Sequence, residues 1–293
     1  MIEIKGLGFT YHDYNPAFRT RGQKGIPDEM YVLRGIDMTL EEGKIYGLLG
    51  ENGVGKTTLL TLICGLKKQQ EGTIITDGHN PYDREPDFLS DQYYLSDEVE
   101  AVNMTAEDYA ANYGRFWKNF DMEKFIEIME HFGTDVQQKM NTMSAGQLKK
   151  TYISFALACG TKYLIMDEPT NGLDIPSKAQ FRKAMMKYTR EDATVIISTH
   201  QVRDLENIID PIIILDRQEV LLNASIEEIT QKLYFDYGTE ICKDSLYSEL
   251  VPGGCIQVKV NTTGEDSKLD IEALFNTVHK HKDIIKGMFN NKQ

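Results

Sequence analysis

The sequence predicts an α/β fold in which a mainly parallel sheet is covered by helices on both faces. Three short, strongly apolar segments, 163–166, 194–197 and 212–215, alternate with segments of helical periodicity. This alternation is typical of buried parallel strands joined by helices. A further strand-like segment, 44–49, runs into a glycine-rich loop and then a helix, which is the context that a phosphate-binding loop requires.

Composition is that of an ordinary globular protein. The 293 residues are 41% apolar and 26% charged, with a net charge of −13. This acidic balance argues against direct binding of nucleic acid, which favours a basic face. No leader-like segment is seen, and no apolar run approaches the ~18 residues of a membrane span. The four cysteines have no Cys-x-x-Cys spacing, so we expect reduced thiols and neither a disulfide framework nor a metal site built from them.

The remaining elements follow in chain order. Alternating apolar residues over 2–9 and 31–40 predict half-buried strands, and the polar stretch 12–30 between them predicts a long loop. Residues 97–142 read as helical and acidic, with an apolar stripe at Phe125, Ile128, Met129 and Phe132 that we assign to the core. After 231 we expect a small α+β appendage with a strand at 256–260 and a helix at 271–279.

The glycine-rich loop matches the pattern Gly-x4-Gly-Lys-Thr. Its glycines allow the backbone to curl so that N–H groups point at a β-phosphate, while the lysine neutralises β/γ oxygens and the threonine hydroxyl reaches Mg²⁺. The following threonine is placed to meet the α-phosphate. The candidate triphosphate-binding residues are Gly50, Glu51, Asn52, Gly53, Val54, Gly55, Lys56, Thr57 and Thr58.

Two acidic residues and a histidine follow buried strands. Asp167 and Glu168 end an apolar segment, and adjacent strand residues point in opposite directions, so the two carboxylates cannot share one role. Asp167 suits Mg²⁺, whereas Glu168 suits the attacking water as general base. His200 follows another such segment, at the sheet edge where α/β folds bind ligands, and is a candidate γ-phosphate contact. Each of these residues alone is more often structural.

A helix start at Ser144 has two compatible interpretations. Ser144 and Gln147 have the spacing of a capping box. The same unpaired N–H groups attract phosphate, and the small residues Ala145 and Gly146 would allow a γ-phosphate to approach closely.

Together these motifs resemble the ATP-binding cassette (ABC) family over residues 1–230. Met143–Gln147 is similar to the family signature Leu-Ser-Gly-Gly-Gln, with Ala145 in place of a glycine. Tyr11 resembles the aromatic residue that stacks on adenine, 171–174 the loop that crosses between two cassettes, and His200 the switch histidine.

The resemblance implies a P-loop NTPase core with an antiparallel β subdomain and a helical subdomain at about 97–160, followed by the appendage at 231–293. It also implies that two ABC subunits, identical or different, clamp ATP and Mg²⁺ between them. Catalytic roles then fall to Glu168 and His200, and metal binding to Thr57, Asp167 and Asp97. The residues that act on the other subunit's ATP are Ser144, Ala145, Gly146, Gln147 and Asp174.

One family position is ambiguous. ABC proteins carry a glutamine in a segment called the Q-loop. Asp97 matches this position best, although Gln92 lies close by. Ile175 also stands where the crossing loop is usually followed by proline. The segment 88–97, the length of the helical region and the appendage are most similar to ATPase subunits of ABC-2 type exporters, which implies a separate membrane permease and a peripheral location on the cytoplasmic face.

Two rival interpretations remain. A soluble ABC ATPase acting on ribosomes or DNA would usually carry two cassettes or long coiled coils, and neither is evident here. A P-loop kinase or GTPase is the second rival. A GTPase would be expected to carry an Asn-Lys-x-Asp element for guanine specificity. Only residues 291–293 approach this pattern.

Overall fold

The structure, a computed structural model, describes residues 1–11, 28–205 and 207–289. The long loop that the sequence predicts at 12–30 falls outside these residues except for a 3-10 turn at Asp28–Met30.

Six strands form the central sheet of the described part of the chain. They are β3 (Ile45–Leu49), β5 (Gln92–Leu95), β6 (Tyr163–Asp167), β7 (Thr194–Thr199), β8 (Ile212–Asp216) and β9 (Glu219–Ala224). Their spatial order is β5-β6-β7-β3-β8-β9. All neighbours pair in parallel except β8 and β9, which are antiparallel. The predicted mainly parallel sheet is therefore confirmed.

Helices cover both faces of this sheet. Alternate residues of each strand point to opposite faces and therefore pack into different buried clusters. In β6, Leu164 and Met166 belong to one buried cluster and Tyr163 and Ile165 to the other. The first cluster includes residues of α5 (Ala145–Ala158) and α6 (Ile175–Tyr188), and the second includes α1 (Lys56–Ile63). Every residue of β6, β7 and β8 is buried, as expected for strands covered on both sides.

The predicted N-terminal strands form a separate antiparallel sheet. It consists of β2 (Leu33–Leu40), β1 (Ile2–Phe9) and β4 (Glu71–Thr76), in that order. Ile2, Ile4 and Leu7 are fully buried in the cluster that also contains α1, so this sheet packs on the helix that follows the phosphate loop.

The region 97–142 is less helical than the sequence predicts. It contains α3 (Ala106–Tyr113) and α4 (Met122–His131), with two short 3-10 turns and irregular backbone between and after them. Gly133, at φ 65°, stops α4, because a left-handed backbone cannot continue a helix. The predicted core stripe is confirmed, since Phe125, Ile128, Met129 and Phe132 are at most 2% exposed. A short helix, α2 (Pro86–Leu89), precedes β5.

After β9 the chain continues through α7 (Ile226–Lys232) into the region predicted as the C-terminal appendage, 231–293. The elements of this region are β10 (Leu233–Gly238), β11 (Tyr247–Val251), β12 (Gly254–Val260), α8 (Ile271–Lys280) and α9 (Lys282–Phe289). Both neighbours of β12 pair with it antiparallel. The predicted strand and helix are confirmed as β12 and α8. Val258, Leu274 and Val278 belong to the same buried cluster as the central sheet, so the appendage packs directly on the core.

None of the helices among the described residues has the length and apolar character needed to cross a lipid bilayer.

Candidate functional site

Six of the nine predicted phosphate-binding residues line a cavity of about 390 Å³ at the carboxyl ends of β3 and β6, whereas Gly50, Glu51 and Val54 do not line it. The residues that line it are Tyr11, Val32, Asn52, Gly53, Gly55, Lys56, Thr57, Thr58, Asp97, Asp167 and Glu168. Four separate parts of the sequence prediction therefore meet in one place: Tyr11, the glycine-rich loop, the acidic pair and Asp97. His200 does not line this cavity.

Backbone geometry explains the glycines of the loop. Gly53 and Gly55 have φ of 82° and 108°, in the region that disfavours side chains. A Cβ on Gly50 would lie 2.6 Å from the Leu215 carbonyl oxygen. No side chain caps the N-terminus of α1 at Gly55. The first N–H groups of α1 therefore remain available to an anion such as phosphate.

The Lys56 side chain is buried and hydrogen-bonded to the backbone of the phosphate-binding loop. It is 6% exposed. Its Nζ donates to the carbonyl oxygens of Gly50 at 2.8 Å and Glu51 at 3.2 Å, and lies 3.6 Å from Glu168 Oε1. Burial lowers the pKa of Lys56, and the charges of Glu168 and Asp167 oppose that shift. The ammonium is thus desolvated beside a cavity in which its neutral hydrogen-bond partners can be exchanged for phosphate oxygens.

Asp167 carries the features of a Mg²⁺ ligand. It is 3% exposed, Thr57 Oγ1 donates to its Oδ2 at 2.6 Å, and the Ser198 hydroxyl donates to its other oxygen. Tyr94 donates to Oδ2 at 3.4 Å, and burial followed by the Asp167 charge raises the pKa of this phenol. A carboxylate next to a hydroxyl is a hard-oxygen pair, which fits a Mg²⁺ ion that also binds phosphate and water.

Glu168 faces a different set of groups. Its Oε1 lies 2.9 Å from His200 Nδ1, and the His200 backbone N–H donates to Oε2 at 3.3 Å. Its backbone has φ of 45°, which is uncommon outside glycine, and its N–H is bonded to Ser198 Oγ at 3.0 Å. Asp167 and Glu168 therefore point at different partners, as the sequence predicts, and Glu168 is the one that meets His200.

Asp97 and Gln92 lie in different environments. Asp97 lines the cavity, and its carboxylate accepts hydrogen bonds from Asn171 Nδ2 at 3.2 and 3.3 Å. Gln92 is 8% exposed, its amide donates to the Cys64 carbonyl at 3.1 Å, and it does not line the cavity. The geometry favours Asp97 as the residue that reaches the nucleotide, while its role toward a metal stays a prediction.

The helix end at Ser144 is exposed to solvent. The capping box is present: Gln147 N–H donates to Ser144 Oγ at 3.2 Å, and Ser144 N–H donates to Gln147 Oε1 at 2.9 Å. No residue of 143–147 lines the nucleotide cavity of its own chain. A Cβ on Gly146 would meet only the Gly172 carbonyl oxygen, at an unstrained 3.8 Å. Nothing in the described part of this chain therefore requires a glycine at 146.

Asp174 caps α6 next to this helix end. Its carboxylate accepts from Ser177 N–H at 2.9 Å. Hydrogen bonds from Ser177 are the main cause of a lowered Asp174 pKa, and the Lys150 charge on α5 adds to the effect. Asp174 does not reach the nucleotide cavity of its own chain.

Two further side chains, Ser198 and Lys149, support the site and were not predicted from the sequence. Ser198 bonds both to Asp167 and to the backbone of Glu168. Lys149, 4% exposed, donates to the backbone oxygen of Asp97 at 2.6 Å. The position of Ser198, next to the polar end of a buried strand, is a signal that could have identified it. Lys149 lies within a helix pattern and carries no such signal.

Tyr11, the residue predicted to stack on adenine, lies at the rim of the cavity. Its ring is 59% exposed, its hydroxyl is 2.7 Å from Thr58 Oγ1, and Lys67 Nζ lies 5.1 Å from the ring centroid. The Thr58 bond fixes the ring at the rim of the cavity. It also leaves the Thr58 hydroxyl partnered, so its predicted contact with the α-phosphate stays a prediction.

Replacement of Tyr11 tests this placement. We expect Tyr11→Ala to raise the KM for ATP about three- to tenfold, which is the range of one aromatic stacking contact, with kcat unchanged. Tyr11→Phe keeps the ring and is the matched control, with a KM close to that of the parent. Equal increases in the two variants would instead assign the effect to the Thr58 hydrogen bond.

Comparisons with known proteins agree with this geometry. The family model described as "ABC transporter" matches residues 33–171. The chain is 31% identical to the uncharacterized ABC transporter ATP-binding protein YdbJ of Bacillus subtilis, over 68% of this chain and 66% of that protein. It is 29% identical to the ABC transporter ATP-binding protein NatA of the same organism, over 76% of this chain and 92% of NatA.

A solved structure shares the fold. It is a dimeric ATP-binding cassette in a post-hydrolysis state, bound to ADP and Pi, with a TM-score of 0.63 and 22% identity. The match covers 77% of this chain and 99% of that one.

Proposed function

The chain belongs to the ABC transporter family of ATPases, and from this premise we propose that it powers a separate membrane permease through ATP-driven closure of a dimer. The observation that carries the proposal is the division of the site into two halves. One half, with Lys56, Asp167 and Glu168, surrounds the cavity. The other half, the capped helix end at Ser144, is exposed and does not line the cavity of its own chain.

The first half binds ATP with Mg²⁺. The loop N–H groups and Lys56 hold the phosphates, and Tyr11 stacks on adenine. Thr57 and Asp167 would hold the Mg²⁺, with Asp97 as a further oxygen donor on the cavity wall. The ion would supply positive charge that neutralises the charge developing on the phosphate oxygens.

The second half comes from another ABC subunit. The helix N-terminus at Ser144, with Ala145, Gly146 and Gln147, places free N–H groups and the positive end of a helix dipole over the γ-phosphate. Asp174 approaches with it, because its loop adjoins the same helix end. Two-fold symmetry then creates two identical shared sites. The dimeric, nucleotide-bound cassette with the same fold supports this assembly.

The residues that carry out hydrolysis are Glu168 and His200. Glu168 accepts a proton from the attacking water as general base. His200, bonded to Glu168 through Nδ1 and through its backbone N–H, fixes the carboxylate and contacts the γ-phosphate. When the γ-phosphate leaves, the contacts that both subunits make with it are lost, and the dimer opens. Repeated closing and opening of the dimer then drives the permease.

A groove on the outer surface supplies the contact with the permease. It has a volume of about 560 Å³ and is mainly apolar. Its lining residues are Cys64, Leu66, Arg84, Pro86, Leu89, Ser90, Gln92, Tyr93, Tyr94, Phe116 and Trp117. Phe116 and Leu66 are 59% and 50% exposed, so both present apolar surface at the groove. The groove also borders Tyr94, which contacts Asp167, so an apolar helix docked here is linked to the nucleotide site.

We assign the permease to the ABC-2 exporter type, which places the chain on the cytoplasmic face of a membrane. The support is the similarity of the segment 88–97, the helical region and the appendage to ATPase subunits of that type. The alternative, action on ribosomes or DNA, has no comparable support, because the chain is acidic.

Disruption of the groove tests the permease partner. We expect Phe116→Asp to abolish co-purification with an integral membrane protein from native membranes, because a buried carboxylate would lack a partner in the docked state. Leu250→Asp, at a 78% exposed position on the appendage, is the matched control and should co-purify normally. If the parent protein distributes with ribosomes, or with no membrane protein, the transporter assignment is wrong. The identity of the captured protein decides the exporter type.

A further inference from the structure

A second cavity opens beside the switch histidine, between the core and the appendage. Its volume is about 490 Å³. One wall is the first glycine of the phosphate loop and the segment after β7, and the other is α8. The lining residues are Gly50, Thr199, His200, Gln201, Val202, Arg203, Asp204, Glu272, Phe275 and Asn276. The appendage, which has no role in the mechanism above, thus forms part of the surface next to the γ-phosphate position.

Several contacts fix α8 in this place. Glu272 bonds to the guanidinium of Arg203 at 2.8 and 2.5 Å, and Asn276 Nδ2 donates to the Tyr247 hydroxyl at 3.0 Å. The Phe275 ring packs against the ring of His279, with 4.3 Å between centroids. Phe275 is only partly buried, so it presents an apolar surface at the cavity in a defined orientation.

One large apolar side chain on the surface of the same chain is almost fully exposed to solvent. Ile175, the first residue of α6, is 85% exposed. It follows Asp174 directly, so it belongs to the loop that adjoins the helix end at Ser144. A Cβ on Gly146 would lie 3.8 Å from the Gly172 carbonyl oxygen, which shows how closely the two segments approach. A partner surface that contacts the helix end at Ser144 therefore also lies near Ile175.

This inference rests on the proposed dimer. In that dimer, the helix end of one copy covers the γ-phosphate held between Lys56 and His200 of the other. Ile175 moves with the helix end and arrives beside His200, where the second cavity opens. We infer that Ile175 of one copy enters this cavity on the other and packs against Phe275. The appendage is then part of the ATP-closed interface, and two-fold symmetry makes the contact twice.

The first test measures dimer affinity. In the Glu168→Gln background with ATP and Mg²⁺, we expect Ile175→Ser to raise the dimer dissociation constant at least about tenfold, since an isoleucine loses its burial at two contacts. Met186→Ser is the matched control, because Met186 is 65% exposed on the same helix and does not line the cavity. Its dissociation constant should equal that of the background protein.

The second test locates the contact. Chains carrying Ile175→Cys are mixed with chains carrying Phe275→Cys, both with Cys242→Ser to remove the exposed native thiol. With a thiol oxidant such as diamide added to both samples, we expect a disulfide-linked dimer that forms with ATP and not without it, whereas a Met186→Cys and Phe275→Cys mixture should not cross-link.

The outcomes separate this inference from the proposed function. If the background protein dimerises with ATP, but Ile175→Ser behaves like Met186→Ser or no cross-link forms, the inference is wrong and the shared site stands. If the background protein stays monomeric with ATP bound, the shared site itself is wrong and the inference falls with it.

Discussion

Glu168→Gln is expected to remove nearly all ATP turnover while leaving ATP binding intact. Glutamine has the size of glutamate and can still accept from the His200 backbone N–H, so the cavity keeps its shape. It cannot take a proton from water, and loss of a general base typically lowers kcat about 10²- to 10⁴-fold. Steady-state phosphate release gives kcat, and calorimetric titration gives the dissociation constant of ATP.

Glu98→Gln is the matched control for this change. Glu98 is exposed on the loop that carries Asp97, and it does not line the cavity. Its kcat should equal that of the parent protein. A Glu168→Gln protein that retains more than a tenth of the parent kcat would show that Glu168 is not the base.

Lys56→Met is expected to weaken ATP binding at least about a hundredfold. Lys56 is the buried cation of the loop, and charge-assisted hydrogen bonds to β/γ oxygens contribute about 1.5–3 kcal/mol each. Methionine fills a similar volume, so the comparison isolates the charge. The measurement is the ATP dissociation constant, with circular dichroism to verify folding.

Lys5→Met serves as the control, because the Lys5 side chain is 71% exposed and pairs only with Glu3 among the described residues. It should bind ATP like the parent. Tight ATP binding by Lys56→Met would contradict the assignment of the cavity as the phosphate site.

Local patterns in the sequence predict most of the core and the first half of the site. The strands β6, β7 and β8 are buried on both faces, so they are continuous apolar runs that stand out. The acidic pair and His200 follow such runs directly, which places them at one sheet edge. The phosphate loop is equally visible, because its glycines are required by backbone geometry within the chain.

Features that depend on tertiary contacts could not be predicted. In β9, the burial pattern alternates only weakly, and the strand is defined by its pairing with β8. Acidic composition and apolar spacing overstate the helix content of 97–142, where Gly133 interrupts the pattern. The position of α8 beside His200 depends on contacts between residues about seventy positions apart, such as Arg203 and Glu272, and no local signal encodes them.

The mass of Glu168→Gln in ATP and Mg²⁺, measured by sedimentation equilibrium, tests the shared site most directly. We predict a dimer with one ATP per chain, and a monomer in the absence of ATP. Addition of Gly146→Asp should give a protein that binds ATP yet remains monomeric. An acidic residue in the first turn favours the helix, and a Cβ at this position meets no clash in its own chain, but the carboxylate repels the other subunit's γ-phosphate. A Glu168→Gln protein that holds ATP as a monomer would contradict the account.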